Sequence, residues 1–144
     1  MKIPEGFEPH FRKSRVTDPW EPIYSRRDAD VVLLGLIVGE PHCNSRGFLH
    51  GGVIAALADN AMGLSFVATA GRSAPHTDAK LSAITVGLSI DYVATAKLGQ
   101  WLQILPRVIR AGRSLGFVDA LISADDKSIA RANGTFQLLT FATG

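Results

Sequence analysis

The run GGVIAALADNAMGLSFVATA, residues 51–70, restricts the fold of this chain more than any other stretch. Its alanines, Leu57, Met62 and Leu64 give it the composition and length of a helix, and apolar residues fall on most of its faces. Such a helix must be surrounded by other structure. It is about as long as a membrane span, but Asp59, Asn60, Gly63 and Ser65 interrupt it and no basic flank follows. A carboxylate at the bilayer centre costs about 2.5–3.5 kcal/mol, so a soluble core helix is the expected reading. Asp59 is then the difficulty, because a charge inside a core helix is costly unless it is paired, hydrogen-bonded or near water.

What surrounds the helix is read from hydrophobic periodicity. VVLLGLIV, residues 31–38, is a continuous apolar run bounded by acidic and Gly/Pro punctuation, which predicts a buried strand. AITVGLSIDYV, residues 83–93, alternates Ile84, Val86, Leu88, Ile90 and Tyr92 with Thr85, Gly87, Ser89 and Asp91. That alternation predicts a half-buried strand with the apolar set inward and Thr85 opposite to it. Further strands are expected at about 100–111, 114–124 and 128–141, separated by the turn signals AGRS and ADDKS. Short connections imply antiparallel neighbours, hence a four-strand meander over 83–141. Pro106 cannot donate to a ladder and is expected at a bulge or an edge position. Residues 1–30 read as an irregular or partly helical lead-in. The whole is an α+β chain, one domain over 1–144, in which a curved sheet wraps one helix.

Composition narrows the function. With 15 basic and 13 acidic residues the net charge is +2, and no basic block or aromatic-interleaved stripe suggests a nucleic-acid partner. The single cysteine, Cys43, excludes an intrachain disulfide framework and a CxxC metal knuckle. Charges and prolines in the first thirty residues replace the apolar region of a signal peptide, so a cytoplasmic location is expected.

Gly51 and Gly52, at the start of the helix, are either a tight loop-to-helix corner or a seat for an oxyanion, since a helix N-terminus offers unpaired N–H groups. Asp59 is either a structural carboxylate or a catalytic one. The two positions lie eight residues apart, about 12 Å along a helix, and cannot close on one substrate atom within a single helix. Either they serve different functions or a two-fold axis brings the Asp of one chain beside the helix start of another. Asn44 can donate to a carbonyl or satisfy its own loop. His42 and His50 flank the loop without any Cys/His/Asp cluster at ligand spacing, so no metal is expected. Ser65 and Ser114 lack a G-x-S-x-G context, and Cys43 is a weak nucleophile candidate.

The block HCNSRGFLHGGVIAALADNAMG resembles the signature of hotdog-fold acyl-CoA thioesterases of the phenylacetate-degradation (PaaI-like) type, and the resemblance extends over about residues 20–141. It implies a hotdog fold and hydrolysis of an acyl-CoA thioester to a free acid and CoA. It also implies a dimer, or a pair of dimers, and no bound cofactor, coenzyme A being part of the substrate. Carried over residue by residue, Gly51 donates its N–H to the thioester oxygen and Asp59 of the facing subunit is general base or nucleophile. Asn44 orients the carbonyl or the attacking water, His50 supports the loop, and Thr85 holds the water. A non-catalytic acyl-CoA binding protein and a hotdog hydratase or dehydratase are the alternatives.

Overall fold

The computed structural model describes residues 2–73 and 79–142. Its elements follow in the order Glu8–Pro9 (β1), Tyr24–Asp28 (β2), Val31–Ile37 (β3), Gly51–Ser73 (α1), Ala79–Tyr92 (β4), Trp101–Ala111 (β5), Leu115–Ala124 (β6) and Lys127–Ala142 (β7). The strands form one antiparallel sheet in the order β1-β2-β3-β5-β6-β7-β4. Helix α1 packs against β3, β4, β5, β6 and β7, so the sheet curves around it without closing, the hotdog arrangement.

The core lies between helix and sheet. Leu57, Ala58, Ala61, Met62 and Phe66 of α1 are at most 1% exposed and meet Leu34, Leu36, Leu102, Ile104, Ile122 and Phe136 from the strands. Each fully buried large side chain contributes about 1.5–3 kcal/mol of burial free energy. Close approach is achieved by leaving side chains out of the sheet: a Cβ on Gly116 would stand 2.3 Å from the Phe66 ring. Ser65 is fully buried within this core and its hydroxyl is used structurally, donating to Ala61 O at 2.7 Å and accepting from Val32 N at 3.0 Å. Val32 needs that acceptor because β3 pairs with β5 only over Leu34–Ile37, before the register would reach Pro106. Pro106 thus occupies an edge position on that side, as its missing N–H requires. By length and hydropathy alone α1 could cross a membrane; here it is sheathed by strands.

Three expectations are corrected. The first thirty residues are not simply a lead-in, because Tyr24–Asp28 is a strand paired antiparallel with β3 and Glu8–Pro9 pairs with it in turn. Its alternation was hidden by the charged Arg26, Arg27 and Asp28, which the sheet margin leaves solvated. The meander has three strands, β5-β6-β7, and β4 lies beyond β7 at the far edge. Residues 93–100 make the crossover, pairing on the way with the loop before α1 through Phe48–Lys97 and Leu49 N to Ala96 O.

The third correction concerns β4 itself. A bulge between Thr85 and Gly87 changes which parity faces the helix. Before it, Leu81, Ala83 and Thr85 face inward, Thr85 pairing with buried Phe136; after it, Ile90 and Tyr92 do, opposite Ala132 and Ala130. Ile84 and Val86, assigned inward by simple alternation, are 51% and 59% exposed.

Candidate active site

The expected site residues fall into two clusters on α1. The first is built from contiguous chain at the helix start. In the loop before it, Gly47 takes φ of +80° and closes a turn with its N–H on Asn44 O at 3.0 Å. Asn44 Oδ1 accepts from the N–H groups of Arg46 and Phe48 at 2.9 and 3.2 Å, which leaves the Nδ2 hydrogens of this exposed side chain to donate outward. His50 caps the helix: its Nδ1 accepts from Gly52 N at 2.8 Å, so its proton sits on Nε2. Its carbonyl accepts from Val53 and Ile54. Gly51 N–H has no acceptor among the described residues, while Gly51 O accepts from the Tyr92 hydroxyl at 2.6 Å. Helix geometry thus offers one unused donor in a positive partial field.

The second cluster is assembled from remote segments. Two turns along α1, Asp59 lines a cavity of about 240 Å³ with Asn60, Gly63, Leu64, Val67, Ser82, Ala83, Thr85 and Phe136, and with Arg12 and Ser14 from the N-terminal segment. Thr85 donates its hydroxyl to Asp59 Oδ1 at 2.5 Å, a short charge-assisted bond. Asp59 is half-buried rather than sealed; Thr85 fixes one oxygen, and the other meets no donor among the described residues. Asn60 Oδ1 takes a hydrogen bond from His10 Nε2 at 3.0 Å. A larger cavity, about 650 Å³, lies on the outer face of the sheet between Arg107, Asp119, Asp91 and Arg131, and holds none of the candidate residues.

Thr85 and Asp59 are therefore in contact, and Asn44, His50 and Gly51 share one helix start, but within one chain the two clusters stay apart along α1. His42 is structural: buried, with Nδ1 accepting from Gly39 N at 2.9 Å and Nε2 donating to Trp20 O at 2.8 Å. Burial, and then the nearby Glu40 carboxylate, push the Cys43 thiol above its ordinary pKa, which makes it a poor nucleophile at neutral pH. No group of three or more His, Cys, Asp or Glu side chains able to hold a metal occurs among the described residues. Sequence reasoning missed Tyr92 and His10. Tyr92 shares the inward parity of Ile90 and was visible in principle, whereas nothing local marks His10 as a neighbour of a residue fifty positions away.

Comparison with known proteins agrees with this fold. Residues 46–130, which contain both clusters' helical members and Thr85, match the model of the thioesterase superfamily. A candidate esterase of Pseudomonas aeruginosa is 35% identical over 139 residues, 96% of this chain and 98% of that one. Human acyl-coenzyme A thioesterase 13 is 35% identical over 109 residues, 74% of this chain and 72% of that protein. The Escherichia coli PaaI protein from the phenylacetic acid degradation operon has the same fold, with a TM-score of 0.69 at 21% identity, covering 81% of this chain and 79% of PaaI.

Proposed function

This chain is a member of the thioesterase superfamily, and from that premise we propose how it works as an acyl-CoA thioesterase, with a site made by two subunits. The observation that carries the proposal is a carboxylate on the core helix, Asp59, bonded by Thr85 and open to a cavity. Among the described residues Thr85 is the one protein donor to the Asp59 carboxylate, which leaves the group with capacity for chemistry.

The acyl-CoA lies with its thioester carbonyl against the Gly51 N–H of one subunit and the Asn44 amide beside it. Asp59 of the facing subunit takes a proton from water as general base. The water oxygen bonds to the carbonyl carbon, and the negative charge that develops on the carbonyl oxygen is held by Gly51 N–H. Collapse breaks the C–S bond; the proton passes from Asp59 to the CoA sulfur, leaving a free acid and CoA. Thr85 fixes the carboxylate, and His50, by capping Gly52, fixes the helix start. The step so written uses no metal and no redox cofactor.

A dimer is required because about 12 Å of helix separates Gly51 from Asp59. Strand β4 supports it: fourteen residues long, it ends the sheet with one ladder edge unpaired and exposes Ile84, Val86 and Tyr92 by 50% or more. Such an edge favours pairing with another strand, and two-fold pairing of β4 with a second copy sets two α1 helices antiparallel. A cytoplasmic setting suits a CoA substrate.

The test is release of CoA, read with a thiol reagent, from a panel of aromatic and aliphatic acyl-CoAs. Asp59→Asn keeps the size and the Thr85 contact while removing the base, so turnover should fall by about 10²–10⁴-fold. Near wild-type turnover in a folded Asp59→Asn protein would refute the assignment.

A further inference from the structure

His10 belongs to neither cluster and lies outside the region matched to the family, yet it is 3% exposed and is hydrogen-bonded to Asn60, which lines the cavity. Its backbone is fixed, His10 N donating to Ile23 O at 2.8 Å beside the β1–β2 pair, and its ring meets Phe11 edge-on at 4.8 Å. The Nε2 atom lies 3.0 Å from Asn60 Oδ1, which can only accept, so Nε2 carries the proton. Nδ1 is buried without a partner among the described residues. An apolar side chain would fill this place without stranding a polar atom, so the ring's one donor has a use that packing does not explain.

That use is at Asn60. Asn60 follows Asp59 on α1 and lines the same cavity. With Oδ1 held by His10, the amide presents its Nδ2 hydrogens elsewhere, and they find no acceptor among the described residues. We propose that His10 is a positioning residue for the hydrolytic water: by donating to Asn60 Oδ1 it turns the Asn60 Nδ2 hydrogens toward the cavity beside Asp59. Water there donates one hydrogen to the Asp59 carboxylate and accepts one from Asn60, which leaves a lone pair for the acyl carbon. Burial holds His10 below the ordinary histidine pKa, outweighing the opposing Asn60 hydrogen bond and Glu21 charge, so the ring stays neutral in its one-donor form. Arg12 and Lys13, the cations on its own segment, act in the same direction as burial.

The inference rests on acyl-CoA hydrolysis at Asp59, and the experiment separates the two. With an acyl-CoA that the wild type hydrolyses, kcat and KM are measured for His10→Leu, His10→Gln, Asn60→Ala and the His10→Leu/Asn60→Ala double variant, with folding checked by circular dichroism. His10→Leu should lower kcat about 10-fold to 100-fold, the scale of a misplaced reacting group, with KM changed by less than about twofold. His10→Gln, whose amide can donate to the same oxygen, should restore kcat to within about threefold of wild type. Asn60→Ala should match the His10→Leu loss, and the double variant should be no slower than Asn60→Ala. Wild-type kcat in His10→Leu, equal loss in folded His10→Gln and His10→Leu, or additive losses would overturn the role of His10. If His10→Leu does not fold, wild-type kcat in Asn60→Ala or a His10→Gln kcat more than tenfold below wild type overturns it instead. A wild type that hydrolyses no acyl-CoA, or an active Asp59→Asn, would remove the functional reading itself.

Discussion

The two ends of the α1 site are built in opposite ways. At the helix start the proposed working group is a main-chain N–H, and its surroundings, Asn44, Gly47 and His50, come from nine neighbouring residues. Two turns on, the proposed working group is a side chain, and its surroundings are drawn from β4 and the N-terminal segment as well as from α1. A backbone donor needs only a loop that ends in a helix, because any helix N-terminus leaves N–H groups unmatched. A carboxylate on a core helix needs remote partners, because desolvation without them is costly. Substitutions at the two ends should therefore fail differently.

The largest effect is expected where both ends must come from different chains. A Gly51→Pro chain and an Asp59→Asn chain, each inactive alone, should give about half of wild-type activity as a mixed dimer, since one of its two sites carries both lesions and the other none. Proline removes the N–H, and its ring is tolerated in the first turn. A Cβ at position 51 would stand 3.1 Å from Tyr92 Cζ, so that ring must give way slightly, and helix content and dimerisation are checked first. Verified mixed dimers of folded variants that stay inactive would show that the two ends do not share a site. The same preparation sized by light scattering gives the second reading: an active species near 15.4 kDa would exclude the shared site outright.

A smaller effect compares side chains across the two ends. Thr85→Ala removes a hydrogen bond to a charged group, worth about 1.5–3 kcal/mol, so turnover should fall about tenfold or more. Tyr92→Phe removes a neutral bond to Gly51 O but not the Gly51 N–H, and turnover should change by less than about threefold. Equal losses would mean that the helix start depends on its side chains as much as the Asp59 end does.

The smallest effect is on stability. His10 is held neutral by burial, so its folded pKa lies below 6.5. Between that lowered value and 6.5 the unfolded chain binds more protons than the folded one, and stability must fall as pH falls. The contribution is complete above 6.5 and is lost as pH drops through the folded value. Thermal melts from about pH 8 to about pH 5 should show the wild-type midpoint falling further than that of His10→Gln. Parallel curves would mean that His10 does not report on the packing of the N-terminal segment against α1.

The sequence determined the elements and the helix-start cluster. Periodicity over 31–38, 51–70 and 100–141 fixes which segments are strands and which one is a core helix, because burial on one face or all round must be written into the order of apolar residues. Gly51, Asn44 and His50 could be placed together because they are joined by a few peptide bonds. The resemblance to a known family placed Thr85 in the site, as the holder of the water, where simple alternation had turned it away; its bond to Asp59 came only with the structure. Tertiary structure decided the rest. A one-residue bulge at Val86 reverses the parity of β4, and parity along a strand carries no mark of where an extra residue falls until the partner strand is in place. The position of β4 at the far edge of the sheet, and of His10 against Asn60, depends likewise on contacts between residues about forty to sixty positions apart. Such contacts depend on how the sheet closes over the helix, and the local pattern of apolar and polar residues is the same whichever neighbour a strand finally meets.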